Sequence, residues 1–180
     1  MDPSTYRPSP LATTEAHPDG DGWTLVFVRD LDHPREKVWA ALTDPARLDR
    51  WAPWAADRDL GAVGDAVLTM VDGDTREAMP AAVTLAERPV LLEYTLGGDR
   101  LRWELAATAT GTRLTLRHTV AGPDWVPKVA AGWHVCLDVA EMLLDGEPVE
   151  AVRGRAAMDY GWQDLHDAYA GALGVGSAGS

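Results

Sequence analysis

Three residues supply most of the polar chemistry that this sequence could place inside a folded domain. His118 continues a row of alternating apolar residues, Leu114, Leu116, His118 and Val120. A histidine riding inward on such a row is a candidate general base, or a group that orients a ligand carbonyl. The plainer alternative is a histidine satisfied by the backbone near a strand end. His134 and Asp138 stand four residues apart in a helical pattern and so share a face, with Glu141 three further on. If that face looks into a cavity, Asp138 can hold one tautomer of His134 as a base dyad. If it does not, the pair is a contact on the helix surface.

Aromatic residues surround these candidates. The chain has eight Trp against one Phe, and each indole brings a large apolar face plus one N–H that needs an acceptor. Such a content suggests a core or cavity with aromatic walls. Trp51 and Trp54 are candidates to stack on a planar ligand or to cap the core. Trp39, spaced with Leu42, reads as core. Other chemistries find little support. The five His show no metal-ligand spacing, and there is no phosphate-binding glycine loop or nucleophile elbow. A single Cys136 excludes an internal disulfide framework and a cysteine-based zinc site. No metal or other cofactor is expected.

The elements that must position these groups follow from periodicity. Residues 1–21 hold four prolines and read as a flexible leader. Trp23 to Arg29 is a first strand. Asp32-His33-Pro34 opens a helix that carries Val38, Trp39 and Leu42, and Asp44-Pro45 opens a second, shorter one ending at Trp51. Residues 52–66 read as a loop or weak edge strand. Between Ala66 and Val120 the period changes to two, predicting strands at 66–71, 79–87, 90–96, 100–107 and 112–120, joined by short turns. A long helix, Trp125 to Leu144, and a last amphipathic helix, Tyr160 to Leu173, complete a single domain over 22–174. Residues 175–180 read as a flexible tail. Consecutive strands between helices give an α+β fold with an antiparallel sheet.

Strand parity divides the candidates between faces. Leu101, Trp103 and Leu105 share a face, as do Leu92, Tyr94 and Leu96, and Met79, Ala81, Val83 and Leu85 form a further row. These apolar rows should face the long helix, taking Tyr94, Trp103 and His118 inward. Glu93, Arg102, Glu104, Arg113 and Arg117 fall on the opposite, solvated face, where they solubilise the sheet rather than form a catalytic cluster.

The net charge of −12 argues against nucleic acid and anionic membrane surfaces as partners. No apolar run approaches the ~18 residues of a membrane-spanning helix, and no signal-peptide core is visible. A cytoplasmic monomer or homodimer is expected.

The segment from Asp32 through Pro45, followed by Leu48-Asp49-Arg50-Trp51, resembles the opening of the START-like helix-grip (SRPBCC) superfamily. It is most similar to the branch named after the activator of the heat-shock protein 90 ATPase. Leu91 to Leu96, Leu101 to Leu105, Gly111 to Leu116 and Gly132 to Leu137 fit the same pattern, so the resemblance spans about residues 23–146. It implies a curved antiparallel sheet of about six strands gripping the long C-terminal helix, two short helices after the first strand, and a ligand cavity between sheet and helix. The leading expectation is a small hydrophobic ligand held by Trp51, Trp54, Met79, Tyr94, Trp103, His118, Trp133 and Leu137, with Asp138 nearby. The alternatives are a polyketide-cyclase-like enzyme using His118 or the His134–Asp138 pair, and a co-chaperone or protein-interaction module.

Overall fold

The computed structural model describes residues 2–175. Eight strands form one antiparallel sheet: β1 (Thr13–Asp19), β2 (Gly22–Leu31), β3 (Trp54–Ala56), β4 (Gly64–Asp72), β5 (Thr75–Glu87), β6 (Leu91–Leu96), β7 (Asp99–Ala107) and β8 (Thr112–Val120). Their order across the sheet is β1-β2-β8-β7-β6-β5-β4-β3. The described residues also form four α-helices: α1 (Arg35–Thr43), α2 (Pro45–Leu48), α3 (Val126–Leu144) and α4 (Trp162–Leu173).

Turn chemistry sets the hairpins. The loops between β1 and β2, β4 and β5, and β6 and β7 each have two residues. Each begins with a glycine at φ near +60° (Gly20, Gly73 and Gly97), and among the described residues no non-glycine residue has positive φ. A left-handed first residue alone is the mark of a type II′ turn, whose twist matches that of paired strands. At α2, Asp44 accepts a hydrogen bond from the Ala46 N–H at 2.8 Å with Pro45 in the first turn, which is the start device expected from the sequence.

The helix-grip expectation holds in outline and is corrected in three places. The sheet has eight strands rather than about six. Of the two additional strands, β3 is only three residues long, too short for periodicity to establish. The other, β1, lies within the expected leader, so that segment is not without structure. Its prolines are compatible with extended backbone, and Pro18 sits on an edge strand, where a missing N–H is tolerated. The third correction concerns Leu85. A bulge between Val83 and Leu85 shifts the register, pairing Leu85 with Glu93 and Ala86 with the buried Leu92. Leu85 therefore leaves the inner row and Ala86 takes its place. At the C-terminus, Val175 packs against the core, and residues 176–180 of the expected tail lie outside the described residues.

α3 is buried on nearly every side. The sheet covers one flank, while α4 and the segment preceding β1 cover the other. An all-round apolar helix requires such double cover. The outer sheet face carries the expected charge ladder, with Arg102 bridging Glu93 and Glu104, and Arg117 also reaching Glu104.

Candidate functional site

On the sheet side of α3 the aromatic candidates come together. Trp133 is the hub, with its ring centre 5.1 Å from Trp103, 5.6 Å from Trp54, 6.5 Å from Trp51 and 6.0 Å from His118. Trp54 in turn meets Tyr94 edge-to-face at 6.2 Å. Edge-to-face contact puts ring edges on ring faces, the favoured electrostatic arrangement. All these residues are buried, as is Leu137 one turn after Trp133. The rings pack on one another where the helix-grip pattern implied a cavity. Met79 stands apart, half-buried beside the Gly97 turn.

Most of the polar atoms in this box are matched. Trp51 Nε1–H donates to the Ala41 carbonyl at 2.9 Å, and Trp103 Nε1–H to the Tyr94 hydroxyl at 3.2 Å. Trp133 Nε1–H donates to His118 Nδ1 at 2.9 Å, so the ring proton of His118 sits on Nε2, which faces Asp99 Oδ2 at 3.3 Å. Both nitrogens of His118 are thus engaged. Burial pushes the Tyr94 phenol up, keeping it a donor. One group is not matched: Trp54 Nε1–H, in a residue 3% exposed, has no acceptor. Cys136 is inert, its thiol pushed up to about 12 by burial.

His134 and Asp138 occupy the other side of α3, away from the rings. Asp138 Oδ1 accepts from Ser9 Oγ at 2.7 Å and from Arg29 Nη2 at 2.5 Å; Oδ2 accepts from Tyr6 at 2.5 Å and from the Ser9 N–H at 3.2 Å. Arg29 also reaches Glu141 at 2.8 Å. Burial alone would raise Asp138, but the Arg29 charge and the Tyr6 and Ser9 hydrogen bonds outweigh it and hold the carboxyl below its usual range. His134 is pushed down, chiefly by burial. Its Nδ1 lies 2.8 Å from the Tyr169 hydroxyl, which already accepts from the Ala12 N–H at 3.1 Å. The polar protons of His134, Tyr169 and Ser9 all find partners if Tyr169 donates to Nδ1, Nε2–H donates to Ser9 at 3.2 Å, and Ser9 donates to Asp138.

Ser9, His134 and Asp138 are the residue types of a nucleophilic triad, yet they do not form one. In a triad the carboxylate holds the histidine nitrogen remote from the serine. Here Asp138 and Ser9 both face Nε2, Asp138 at 3.5 Å, and Nδ1 belongs to Tyr169. The base dyad expected as one possibility is therefore a hydrogen-bonded seam between α3, β2, α4 and the N-terminal segment.

Sequence reasoning missed Tyr6, Ser9, Arg29 and Tyr169 in this seam. A signal existed for Arg29, which shares strand parity with Leu25, Phe27 and Leu31 and so lies on the buried face of β2. Tyr6 and Ser9 sit among prolines that masked their packing. Among the described residues, no group of His, Cys, Asp and Glu could hold a metal ion, and no helix is long and apolar enough to cross a membrane.

Known proteins place this architecture. The pattern of the family described as Activator of Hsp90 ATPase homolog 1-like protein matches residues 32–145. The chain belongs to that family, within the START-like superfamily. CalU16 from Micromonospora echinospora is similar in its crystal structure, with 21% identity, 89% of this chain and 95% of that chain covered, and a TM-score of 0.64. Protein MLL2253 from Mesorhizobium loti has 27% identity, with 70% and 99% covered and a TM-score of 0.61. An AHSA1-like protein from Aeromonas hydrophila has 20% identity, with 68% and 92% covered and a TM-score of 0.59. A search of curated protein sequences finds no match.

Proposed function

We propose that this protein binds a small, largely apolar molecule carrying an oxygen acceptor, held between the sheet and α3 among Trp51, Trp54, Tyr94, Trp103, His118, Trp133 and Leu137. The observation that carries this reading is the unpaired Trp54 Nε1–H, sealed among aromatic rings. A buried donor without an acceptor costs about 1–3 kcal/mol, and a ligand carbonyl or ether oxygen would recover it. Entry requires the rings to part. Met79, at the margin of the core, would join the site only in that opened form.

Binding is favoured over cyclase-type catalysis because His118 offers no free nitrogen while Trp133 and Asp99 hold it. The His134–Asp138 pair faces away from the rings and would not reach a ligand among them.

Native mass spectrometry of the purified protein, with titration by flavone as a planar ketone probe, tests this reading. The expected result is a discrete added mass lost on denaturation, or saturable quenching of tryptophan emission by flavone. In either case Trp54→Phe should weaken binding about tenfold, the effect of one hydrogen bond to a buried donor. Absence of both an added mass and quenching would overturn the proposal, as would undiminished affinity in Trp54→Phe.

A further inference from the structure

The seam on the far side of α3 has the form of an occupied binding site whose occupant is the chain itself. Two hydroxyls from the N-terminal segment, Ser9 Oγ and Tyr6 Oη, each donate to a different oxygen of the Asp138 carboxylate. Ser9 Oγ also accepts from Arg29 Nη2 at 2.9 Å and faces His134 Nε2 at 3.2 Å. A carboxylate shared by two hydroxyls, with arginine and histidine nitrogens aimed at one of them, is the donor and acceptor pattern that would hold adjacent hydroxyls on one ligand.

The segment fills this pattern incompletely. Arg29, 9% exposed in its side chain, has Nη1 sealed from solvent with no acceptor. A third ligand oxygen could satisfy it. Most of the segment lies at the surface: of residues 5–12 only Tyr6 is buried, and Leu11 is exposed. Two grooves of about 320 and 530 Å³ flank the segment and share Ser9, Arg29 and Glu141 in their walls. Lifting residues 5–12 would join them over the guanidinium.

We propose that residues 5–12 are a displaceable strap seated in a binding site for a vicinal diol, the hydroxylated edge of a sugar or polyol. Arg29, His134, Asp138 and Glu141 form the site, and the Ser9 and Tyr6 hydroxyls stand in for the two ligand hydroxyls. Asp138 is ionised and therefore accepts from both, and Arg29 donates to the ligand oxygens. The site is separate from the aromatic interior, so the two proposals can fail independently.

The probe is D-ribose, which carries a cis diol, with cyclohexanol as a single-hydroxyl control. Binding is followed by amide chemical shifts along α3 in the full chain. In the Ser9→Ala/Tyr6→Phe double variant the Ala12 amide should exchange about tenfold faster, and ribose should bind about tenfold more tightly than to the native chain, because the competing strap contacts are gone. Arg29→Lys or the milder Glu141→Gln on that background should weaken ribose binding, and cyclohexanol should not bind. If the double variant fails to fold, Ser9→Ala alone is expected to show the same gain in smaller measure. Equal ribose binding by the native and loosened chains would overturn the proposal. So would ribose binding indifferent to both Arg29→Lys and Glu141→Gln, or no ribose binding once the strap is loosened.

Discussion

Trp133 and His134 are neighbours on α3 and serve opposite environments. Trp133 turns toward the sheet and is held by rings, with a single hydrogen bond to His118. His134 turns toward the N-terminal segment and α4, where charge and hydrogen bonds dominate. Leu137 and Asp138 repeat the division one turn later. The aromatic side gains from area removed from water and tolerates one orphan donor. In the polar seam, the desolvation of Arg29 and Asp138 is offset only if their partners stay in place. One side should therefore be sensitive to lost volume and the other to lost partners and to pH.

The largest effect is expected for Trp133→Ala. It removes a ring that touches four others and leaves a cavity, costing about 5 kcal/mol by urea denaturation, with loss of the near-ultraviolet circular dichroism of the packed indoles. Asp138→Ala leaves Arg29 buried without its main partner and should cost about 3 kcal/mol while that aromatic signal persists. Loss of the aromatic signal in both variants would show that the two sides are a single unit.

Acid should weaken the seam in two stages of smaller size. The lowered value of His134 means that the unfolded chain takes up its proton first. Stability should fall as pH drops below the ordinary histidine value of 6.5 toward the lowered one. Asp138 is also held down, so its contribution is complete above 3.8 and fades as pH falls through its depressed value. Urea midpoints measured against pH should show both stages, and His134→Gln should remove only the first. Tyr6→Phe, which deletes one hydroxyl and keeps the ring against Tyr160, should cost about 1 kcal/mol. Arg117→Ala on the outer ladder should change stability by no more than about 0.5 kcal/mol.

What could be read from sequence differs between the same two sides. The inner rows of β6, β7 and β8 announced Tyr94, Trp103 and His118, because a period of two assigns every residue to a face. The helix starts at Pro34 and Asp44 were legible for local reasons. Whether the aromatic walls enclosed a space or filled it was not legible, since packing depends on ring orientation rather than on parity. The seam was harder still. It joins Tyr6 to Asp138 and Ala12 to Tyr169, and no local pattern encodes such pairings. The bulge after Val83 was silent for a similar reason: Val83-Thr84-Leu85 still alternates in hydrophobicity, while the backbone slips by one residue.

The pairing of Ala12 with Tyr169 also orders events in time. At roughly 5–20 residues per second of synthesis, Tyr169 follows Ala12 out of the ribosome by roughly 10–30 s. For most of that interval Arg29 and the N-terminal hydroxyls lack Asp138, and until its end they lack the last helix. β2 also lacks β8 until residue 120 has emerged. The apolar face of β2 therefore waits, paired at one edge with β1 alone, until β8 has been made.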